Sequence, residues 1–302
     1  MTAAASPARE TDITTPDGRR LQVYEAGEPG GEPVLVHHGT PGCGLLAEPW
    51  VTDAANRGIR LVSFARPGYG RSHRHPGRRV VDVAADAVAV ADAFGFERFR
   101  TWGVSGGGPH ALGCAAALPD RVIAAASLAG IAPYDSPGLD WMAGMGQDNV
   151  DELGAALNGE AELRPHLTNQ RAQILEATAA ELVAVFASLL PPVDVAVLTG
   201  ERAEFLLASM TTGLQTSCDG WLDDDIALTT GWGFDLDAIK VPLLVMQGEQ
   251  DLMVPFAHGQ WLANRLPGAD VVLSADDGHL TVLESIGKVH DWLLRQSSAP
   301  SS

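Results

Sequence analysis

The chain has 302 residues, of which 46% are hydrophobic, and its formal net charge is −18. This length and apolar content suffice for one large domain or for a domain with an insertion. The strong negative charge argues against nucleic acids and anionic membrane surfaces as partners, because both attract basic patches.

Strands alternate with helices along the first part of the chain. Residues 19–27, "RRLQVYEAG", alternate polar and apolar side chains and predict an early antiparallel strand. Four apolar runs predict further strands, namely "PVLVH", "IRLVSF", "FRTWGV" and "IAAASL". Helical periodicity is present in "VVDVAADAVAVADAFGF" and "GPHALGCAAALPDRV".

The alternation resumes near the C-terminus. A strand is predicted at "VPLLVMQG", a helix at "FAHGQWLANRL", a strand at "ADVVLS" and a closing helix at "TVLESIGKVHDWLLRQ". Apolar strands separated by helices predict an α/β protein, with a mostly parallel sheet flanked by helices on both faces.

The alternation stops between residues 134 and 237. Runs such as "VDELGAALNG" and "QRAQILEATAAELVAVFASLL" have helical periodicity, and no buried strand is evident among them. We interpret residues 134–237 as a helical cap inserted into a core made of residues 1–133 and 238–302. The first residues and the final "RQSSAPSS" are predicted to be disordered.

The cysteines and the ends of the chain bear on location and cofactors. Cys43, Cys114 and Cys218 are widely spaced and show neither a metal-ligand nor a disulfide pattern. No apolar signal core or membrane-spanning run is present. We therefore expect a cytoplasmic protein without metal, other cofactor or membrane partner. It should act on a small-molecule substrate as a monomer or a homodimer.

A serine lies between glycines in "GVSGGG", after a predicted strand and before a predicted helix. Residues 103–107 fit the pattern G-x-S-x-G, which is typical of a nucleophile on a sharp strand-to-helix turn. Small neighbours allow such a turn, and the helix N-terminus directs N–H groups at a developing oxyanion. A plain glycine loop is the alternative. We predict that Ser105 is a nucleophile.

The loop "HHGTPG", residues 37–42, follows the first predicted parallel strand. An oxyanion hole needs two converging N–H donors, and we predict that Gly106 and Thr40 supply them. The donor is then the Thr40 backbone, so its side chain should matter less. His38 is expected to fix the loop rather than to act as a base. A simple strand-terminating turn would also explain the glycines and Pro41.

A serine nucleophile needs a base, and the base needs an acid that orients it. Of the nine histidines, His279 in "SADDGHLTVLES" lies on a glycine-bearing loop after the last strand, and we predict it as the base. Asp251 follows the preceding strand through a glycine turn and is the predicted acid. Glu249 and Asp135 remain alternatives.

Together these motifs resemble the α/β-hydrolase family, in particular the capped group that includes proline iminopeptidases, esterases, haloalkane dehalogenases and epoxide hydrolases. "HGTPG" resembles the family's oxyanion loop, and "RPGYGRS" resembles its usual "D-x-P-G-x-G-x-S" turn. "GVSGGG" resembles the nucleophile elbow, and "GEQDLMVP" and "DGH" resemble the acid and base loops. The resemblance covers residues 17–295, with the cap similar only in placement. It implies the α/β-hydrolase fold, the triad order Ser105, Asp251, His279, and a cis bond before Pro41.

Three positions depart from the family patterns. Ala65 stands where many members have an aspartate, which concerns local structure rather than catalysis. Ser105 stands where dehalogenases and epoxide hydrolases have a nucleophilic aspartate, which argues against both chemistries. The elbow "GVSGGG" differs from the "GGSWG" form of iminopeptidases, which argues against aminopeptidase activity.

The cap should close over the serine and shape the substrate pocket. We predict Trp141, Met145 and Trp221 as pocket residues, together with His38 from the oxyanion loop. Their apolar character favours an uncharged, moderately hydrophobic substrate. The stretch "DGWLDDD", residues 219–225, is interpreted as a solvated turn, with binding of a substrate amine as the alternative.

These features predict a metal-free serine hydrolase that cleaves a carboxylic ester, thioester or lactone through an acyl-enzyme. A prolyl aminopeptidase is the second enzyme hypothesis. A non-hydrolytic cyclase or ligand-binding protein is the alternative from another class, since a fold alone does not determine function.

Overall fold

The computed structural model describes residues 8–297 and contains an eight-stranded sheet. The strands are β1 (Arg9–Thr14), β2 (Arg20–Gly27), β3 (Glu32–His37), β4 (Ile59–Phe64), β5 (Phe99–Val104), β6 (Val122–Leu128), β7 (Leu243–Gly248) and β8 (Asp270–Ser274). Their order is β1-β2-β4-β3-β5-β6-β7-β8. The β1–β2 and β2–β4 pairs are antiparallel and the other five are parallel. The predicted mostly parallel α/β architecture is confirmed.

Helices α2, α3 and α10 cover one face of this sheet, and α1 and α11 cover the other. The helices of the described residues are α1 (Glu48–Asn56), α2 (Val83–Ala93), α3 (Gly107–Ala117), α4 (Gln147–Asn158), α5 (Glu160–Glu176), α6 (Leu182–Val185), α7 (Pro192–Val197), α8 (Gly200–Leu214), α9 (Asp219–Leu228), α10 (Phe256–Arg265) and α11 (Ile286–Arg295). Alternate strand residues face opposite sides, as the pleat requires. Leu35 packs in the cluster beneath α2, α3 and α10, whereas Val34 and Val36 pack beneath α1 and α11.

Helices α4 to α9, here called the inserted helices, lie between β6 and β7 in the sequence. They bury a core of their own that contains Leu163, Leu167, Leu214 and Leu222. Tyr69, from the loop after β4, belongs to the same cluster and joins these helices to the sheet. Residues 131–146 contain no helix or strand and precede the inserted helices. The division into a core and a separate cap remains a prediction.

Some elements were not predicted. Strand β1, "RETDIT", is polar and mostly exposed, so it lacks the hydrophobic pattern by which strands are recognised. It forms because its backbone pairs with β2. Helix α1 was also missed. Of the predicted disordered ends, residues 1–7 and 298–302 lie outside the described residues, whereas Arg295 still belongs to α11.

Among residues 8–297, no helix combines the length and the apolar character needed to cross a membrane.

Candidate active site

Ser105 occupies a sharp turn between the end of β5 and the start of α3. Its φ is +55°, in the left-handed region that costs a non-glycine residue about 1–3 kcal/mol. A Cβ on Gly103 would lie 2.0 Å from the carbonyl oxygen of Gly107, and a Cβ on Gly107 would lie 2.3 Å from that of His37. Only glycine permits these contacts. The turn therefore has the strained geometry predicted for a nucleophile elbow.

His279 and Asp251 form a buried pair, and His279 lines the same cavity as Ser105. Nδ1 of His279 lies 2.8 Å from Oδ2 of Asp251, and both side chains are at least nine-tenths buried. Oδ1 of Asp251 accepts hydrogen bonds from the N–H groups of Met253 and Val254, each at 2.8 Å. The side-chain amide of Gln247 donates to Oδ2 at 2.9 Å. The carboxylate is therefore held in one orientation toward the imidazole.

The structure distinguishes Asp251 from the two alternative acids. Glu249 and Asp135 are both exposed, and neither is a hydrogen-bond partner of His279 in the described part of the chain. Glu249 is only two residues from Asp251, but its backbone N–H bonds to Ser274 at the end of β8. Of the three candidates, the structure brings Asp251 to the histidine.

Two opposing effects determine the protonation of His279. Burial disfavours the imidazolium and is the largest single effect, but the charge and hydrogen bond of Asp251 and the charge of Asp194 outweigh it. They raise the pKa of His279 above its ordinary value. Because Nδ1 is held by Asp251, Nε2 is the ring nitrogen left to exchange a proton with a substrate or a serine. Ser105 and His279 line the same cavity.

The two predicted oxyanion donors are neighbours in space. A Cβ on Gly106 would lie 2.4 Å from Oγ1 of Thr40, so the elbow and the Thr40 loop are in contact. The N–H groups of Thr40 and Gly106 donate to no other group within residues 8–297. The peptide bond between Thr40 and Pro41 is cis, as the family resemblance implied. Both N–H groups are thus available to a ligand.

A buried ion cluster centred on Asp224 lies behind Thr40. Asp224 is fully buried, with Oδ2 2.6 Å from Nη2 of Arg66 and Oδ1 2.7 Å from Nη2 of Arg78. The hydroxyl groups of Thr40 and Tyr69 both donate to Oδ2 at 2.9 Å. Burial alone would raise the pKa of Asp224, but the charges of Arg66 and Arg78 lower it well below its ordinary value.

This cluster corrects the interpretation of residues 219–225 as a solvated turn. They begin helix α9, and Asp223, Asp224 and Asp225 are buried. Asp223 accepts two hydrogen bonds from Arg74, at 2.8 and 2.9 Å. Asp223 and Asp224 face arginines from the loop after β4, whereas Asp225 lies beside Glu152. A run of acidic residues in the sequence does not reveal such partners.

Arg66 also fixes the backbone of the oxyanion loop. Its Nη1 donates to the carbonyl oxygen of His38 at 2.5 Å, and its Nη2 donates to that of Gly39 at 3.2 Å and to Oγ1 of Thr40 at 3.0 Å. The His38 ring accepts from the N–H of Arg66 at Nε2, 3.1 Å away, and donates from Nδ1 to the Gly39 carbonyl at 2.7 Å. His38 thus fixes the loop. The sequence did not predict the roles of Arg66, in "RPGYGRS", and Asp224, in "DGWLDDD".

Ser105 and His279 open into a cavity of about 950 Å³. His38 and Trp221 line it as predicted, and so do Phe186, Phe205 and Met210.

Two predicted pocket residues, Trp141 and Met145, do not line this cavity as residues 8–297 define it. Both are buried in the core cluster on one face of the sheet. Nε1 of Trp141 donates to the Ala132 carbonyl at 2.7 Å, and His258 donates to the Trp141 carbonyl at 2.8 Å. These bonds hold the segment after β6 against the core.

Acidic side chains also line the cavity. Within residues 8–297 they are Glu48, Asp148, Glu152, Glu201 and Glu284, and the one arginine of the lining, Arg202, pairs with Glu284 at 2.8 Å. Glu152 accepts a hydrogen bond from Nε1 of Trp221 at 2.8 Å. Burial and the charge of Asp148 raise the pKa of Glu152, against the opposing effect of its hydrogen bonds with Trp221 and Asp225. Burial and the neighbouring Glu152 and Asp224 carboxyls raise the pKa of Asp225. Within the described residues, no three acidic, histidine or cysteine side chains are arranged to hold a metal ion.

Both the sequence and the fold of this chain are similar to those of known α/β hydrolases. The family profile described as "alpha/beta hydrolase fold" matches residues 32–286. The uncharacterized hydrolase YcgS of Bacillus subtilis is 24% identical over 280 residues, which cover 90% of this chain and 92% of that protein. The non-heme chloroperoxidase of Streptomyces lividans is 27% identical over 262 residues, which cover 81% of this chain and 83% of that protein. A thermophilic esterase from Thermogutta terrifontis has a similar fold, with a TM-score of 0.68 at 19% identity, covering 96% of this chain and all of that one.

Proposed function

Because the chain belongs to the α/β-hydrolase fold family, we propose that it is a serine hydrolase acting on a carboxylic ester, thioester or lactone of a small molecule. The observation that carries this proposal is the 2.8 Å hydrogen bond between Asp251 and His279, together with the cavity that His279 and Ser105 both line. In this proposal Ser105 is the nucleophile, His279 the general base, and Asp251 the group that orients the base.

The reaction follows from this arrangement. Oγ of Ser105 attacks the substrate carbonyl carbon while Nε2 of His279 removes the proton of the Ser105 hydroxyl. The N–H groups of Thr40 and Gly106 stabilise the oxyanion, each contributing roughly 2.7–4 kcal/mol in comparable sites. The intermediate collapses to an acyl-enzyme, and His279 returns the proton to the leaving alcohol or thiol. Water, deprotonated by His279, then attacks the acyl carbon. The bond from that carbon to Oγ of Ser105 breaks, His279 returns the proton to Oγ, and the acid is released.

The cavity suggests a substrate class. Its volume of about 950 Å³ lies at the upper end of the range of roughly 300–1,000 Å³ found for small-molecule sites. Aromatic side chains such as Phe186 and Phe205 favour a moderately hydrophobic group. Carboxylates outnumber cationic groups on the wall, so a neutral or cationic substrate should bind better than an anionic one.

A prolyl aminopeptidase is a second candidate, favoured by the acidic cavity wall. Asp148 lines the cavity, and its carboxylate would attract the ammonium group of a peptide N-terminus. The residues first considered for this role do not support it, because Asp223 and Asp224 are already paired with arginines. We therefore place the ester hydrolase ahead of the aminopeptidase.

The test is covalent labelling followed by substrate comparison. A fluorophosphonate should label wild-type protein on Ser105 and should not label Ser105→Ala. Ser209→Ala is the matched control, because Ser209 lines the same cavity but lies in helix α8, outside the elbow. A panel of acyl esters and prolyl anilides then separates the two hydrolases. Absence of labelling at Ser105 would favour a non-hydrolytic, ligand-binding protein.

A further inference from the structure

A carboxylate from the inserted helices holds the backbone of the His279 loop. Asp194 lies in α7 and is completely buried. Its Oδ2 accepts a hydrogen bond from the N–H of His279 at 2.7 Å. Its Oδ1 accepts from the N–H groups of Leu280 and Thr281, at 3.0 Å each, and from the Thr281 hydroxyl at 3.2 Å. One carboxylate thus accepts four hydrogen bonds from three consecutive residues.

The loop is closely fitted to this carboxylate. A Cβ on Gly278 would lie 2.5 Å from Oδ2 of Asp194, so only glycine leaves room for the carboxylate at that position. The N–H of Gly278 donates to Oγ1 of Thr281 at 2.7 Å, which orients the hydroxyl toward Asp194. Successive backbone N–H groups form a concave anion site. Here a side chain 85 residues away in the sequence occupies it.

His279 is therefore held by two carboxylates with different functions. Asp251, from the loop after β7, binds the ring, whereas Asp194, from an inserted helix, binds the main chain. These are the two charged groups that raise the pKa of His279 against the effect of burial. Nearby on the cavity wall, Glu284 and Arg202 neutralise each other as a pair.

We propose that Asp194 is a positioning residue for His279, and that correct placement of the base depends on how helix α7 is seated. The catalytic consequence rests on the serine-hydrolase proposal, whereas the structural consequence rests on the loop alone. Without the carboxylate, three N–H groups lose their acceptor, and the loop must rearrange to satisfy them. A displacement of about 1 Å between reacting groups costs on the order of 10²-fold in rate.

The decisive variant is Asp194→Asn. It keeps the shape of the side chain but replaces one accepting carboxylate oxygen with an amide NH2 group, which faces the backbone N–H donors of the loop. We expect kcat for the best ester to fall by about 10- to 100-fold, with a much smaller change in KM. The acidic limb of the pH profile should move to lower pH, because one negative charge near His279 is lost. Asp53→Asn is the matched control. It removes a carboxylate from the His290–Asp53 pair, which lies outside the cavity, and should leave kcat unchanged.

A second pair of variants serves if Asp194→Asn does not fold. Thr281→Val removes the hydroxyl that donates to Asp194, whereas Thr281→Ser keeps it. The valine variant should lose kcat and the serine variant should retain most of it. Equal activity of the two variants, or a wild-type kcat and pH profile in folded Asp194→Asn, would overturn the inference.

Nuclear magnetic resonance titration of the His279 imidazole separates this inference from the proposed function. Failure of the wild type to hydrolyse esters or to react with a fluorophosphonate would refute the hydrolase proposal. The titration still applies in that case. The His279 midpoint should be lower in Asp194→Asn than in wild type, and an unchanged midpoint and chemical shift would refute the positioning role.

Discussion

Oδ2 of Asp224 lies 2.6 Å from Nη2 of Arg66, and both side chains are buried although they are 158 residues apart in the sequence. Arg66 donates in turn to the carbonyl oxygens of His38 and Gly39. The pair thus connects helix α9, one of the inserted helices, to the loop that would supply an oxyanion donor.

Removing Asp224 should destabilise the protein strongly. Asp224→Asn leaves Arg66 and Arg78 buried with reduced compensation, and breaking a buried pair in this way costs about 3–5 kcal/mol of unfolding free energy. Chemical denaturation measures the change. Asp92→Asn, which removes a largely exposed partner of Arg121, should have a far smaller effect. Similar losses for the two variants would contradict the importance of burial.

Substitution of Ser105 should separate catalysis from backbone strain. Ser105→Ala and Ser105→Gly both remove the hydroxyl, and each should lower ester hydrolysis by on the order of 10⁴-fold or more. Only glycine adopts a φ of +55° without strain, so Ser105→Gly should be the more stable by about 1 kcal/mol. Initial rates and thermal unfolding measure the two effects. Ordinary turnover by folded Ser105→Ala would exclude this serine as the nucleophile.

The acidic limb of the pH profile should follow the protonation of His279. Because the base acts in its neutral form and its pKa is raised, the acidic limb of kcat/KM should lie above the ordinary histidine pKa of about 6.5. Asp251→Asn removes the charge that stabilises the imidazolium, so the limb should move to lower pH while turnover falls by about 10⁴-fold. Glu249→Gln and Asp135→Asn are the controls. A large loss in either control would point to a different acid.

The side chain of Thr40 should matter more than the sequence suggested. Its hydroxyl donates to Asp224 and accepts from Arg66, so Thr40→Ala leaves two buried charged groups with one partner fewer. Loss of such a bond costs roughly 1–3 kcal/mol of unfolding free energy. We expect the resulting displacement of the loop to lower kcat by about 10-fold. Thr40→Ser keeps the hydroxyl and should remain near wild type. Equal kcat values for the two variants would show that the loop is held by the backbone alone.

The acidic cavity should select against anionic acyl groups. For two esters of the same alcohol, a butyrate should be hydrolysed with a kcat/KM at least about 5-fold higher than a hemisuccinate. One like-charge contact at 4 Å costs about 1 kcal/mol even in water. Higher ionic strength should narrow this ratio. Glu201→Gln removes one carboxylate of the lining and should narrow it too. A preference for the hemisuccinate would contradict the proposed substrate class.

Local patterns were sufficient to predict seven of the eight strands of the sheet, most of the helices that flank it and the geometry of the elbow. The elbow is made of contiguous residues, because β5 ends at Val104 and α3 begins at Gly107. Steric rules for these few residues, most of them glycines, therefore determine the turn at Ser105. The same holds for the cis bond before Pro41, which the resemblance of a short loop implied. Strand β1 was missed because its polar sequence carries no hydrophobic pattern, and only its pairing with β2 forms it.

Only the tertiary structure decided which distant groups meet. The sequence left Asp251, Glu249 and Asp135 open as partners of His279, because chain position does not show which carboxylate reaches an imidazole. It also did not distinguish Trp221, which lines the cavity, from Trp141, which packs in the core. Periodicity indicates that a side chain is buried but not against what, because its neighbours come from elements far away in the chain. For this reason the contacts of Asp194 and Asp224 became visible only once the inserted helices were packed against the loops of the sheet.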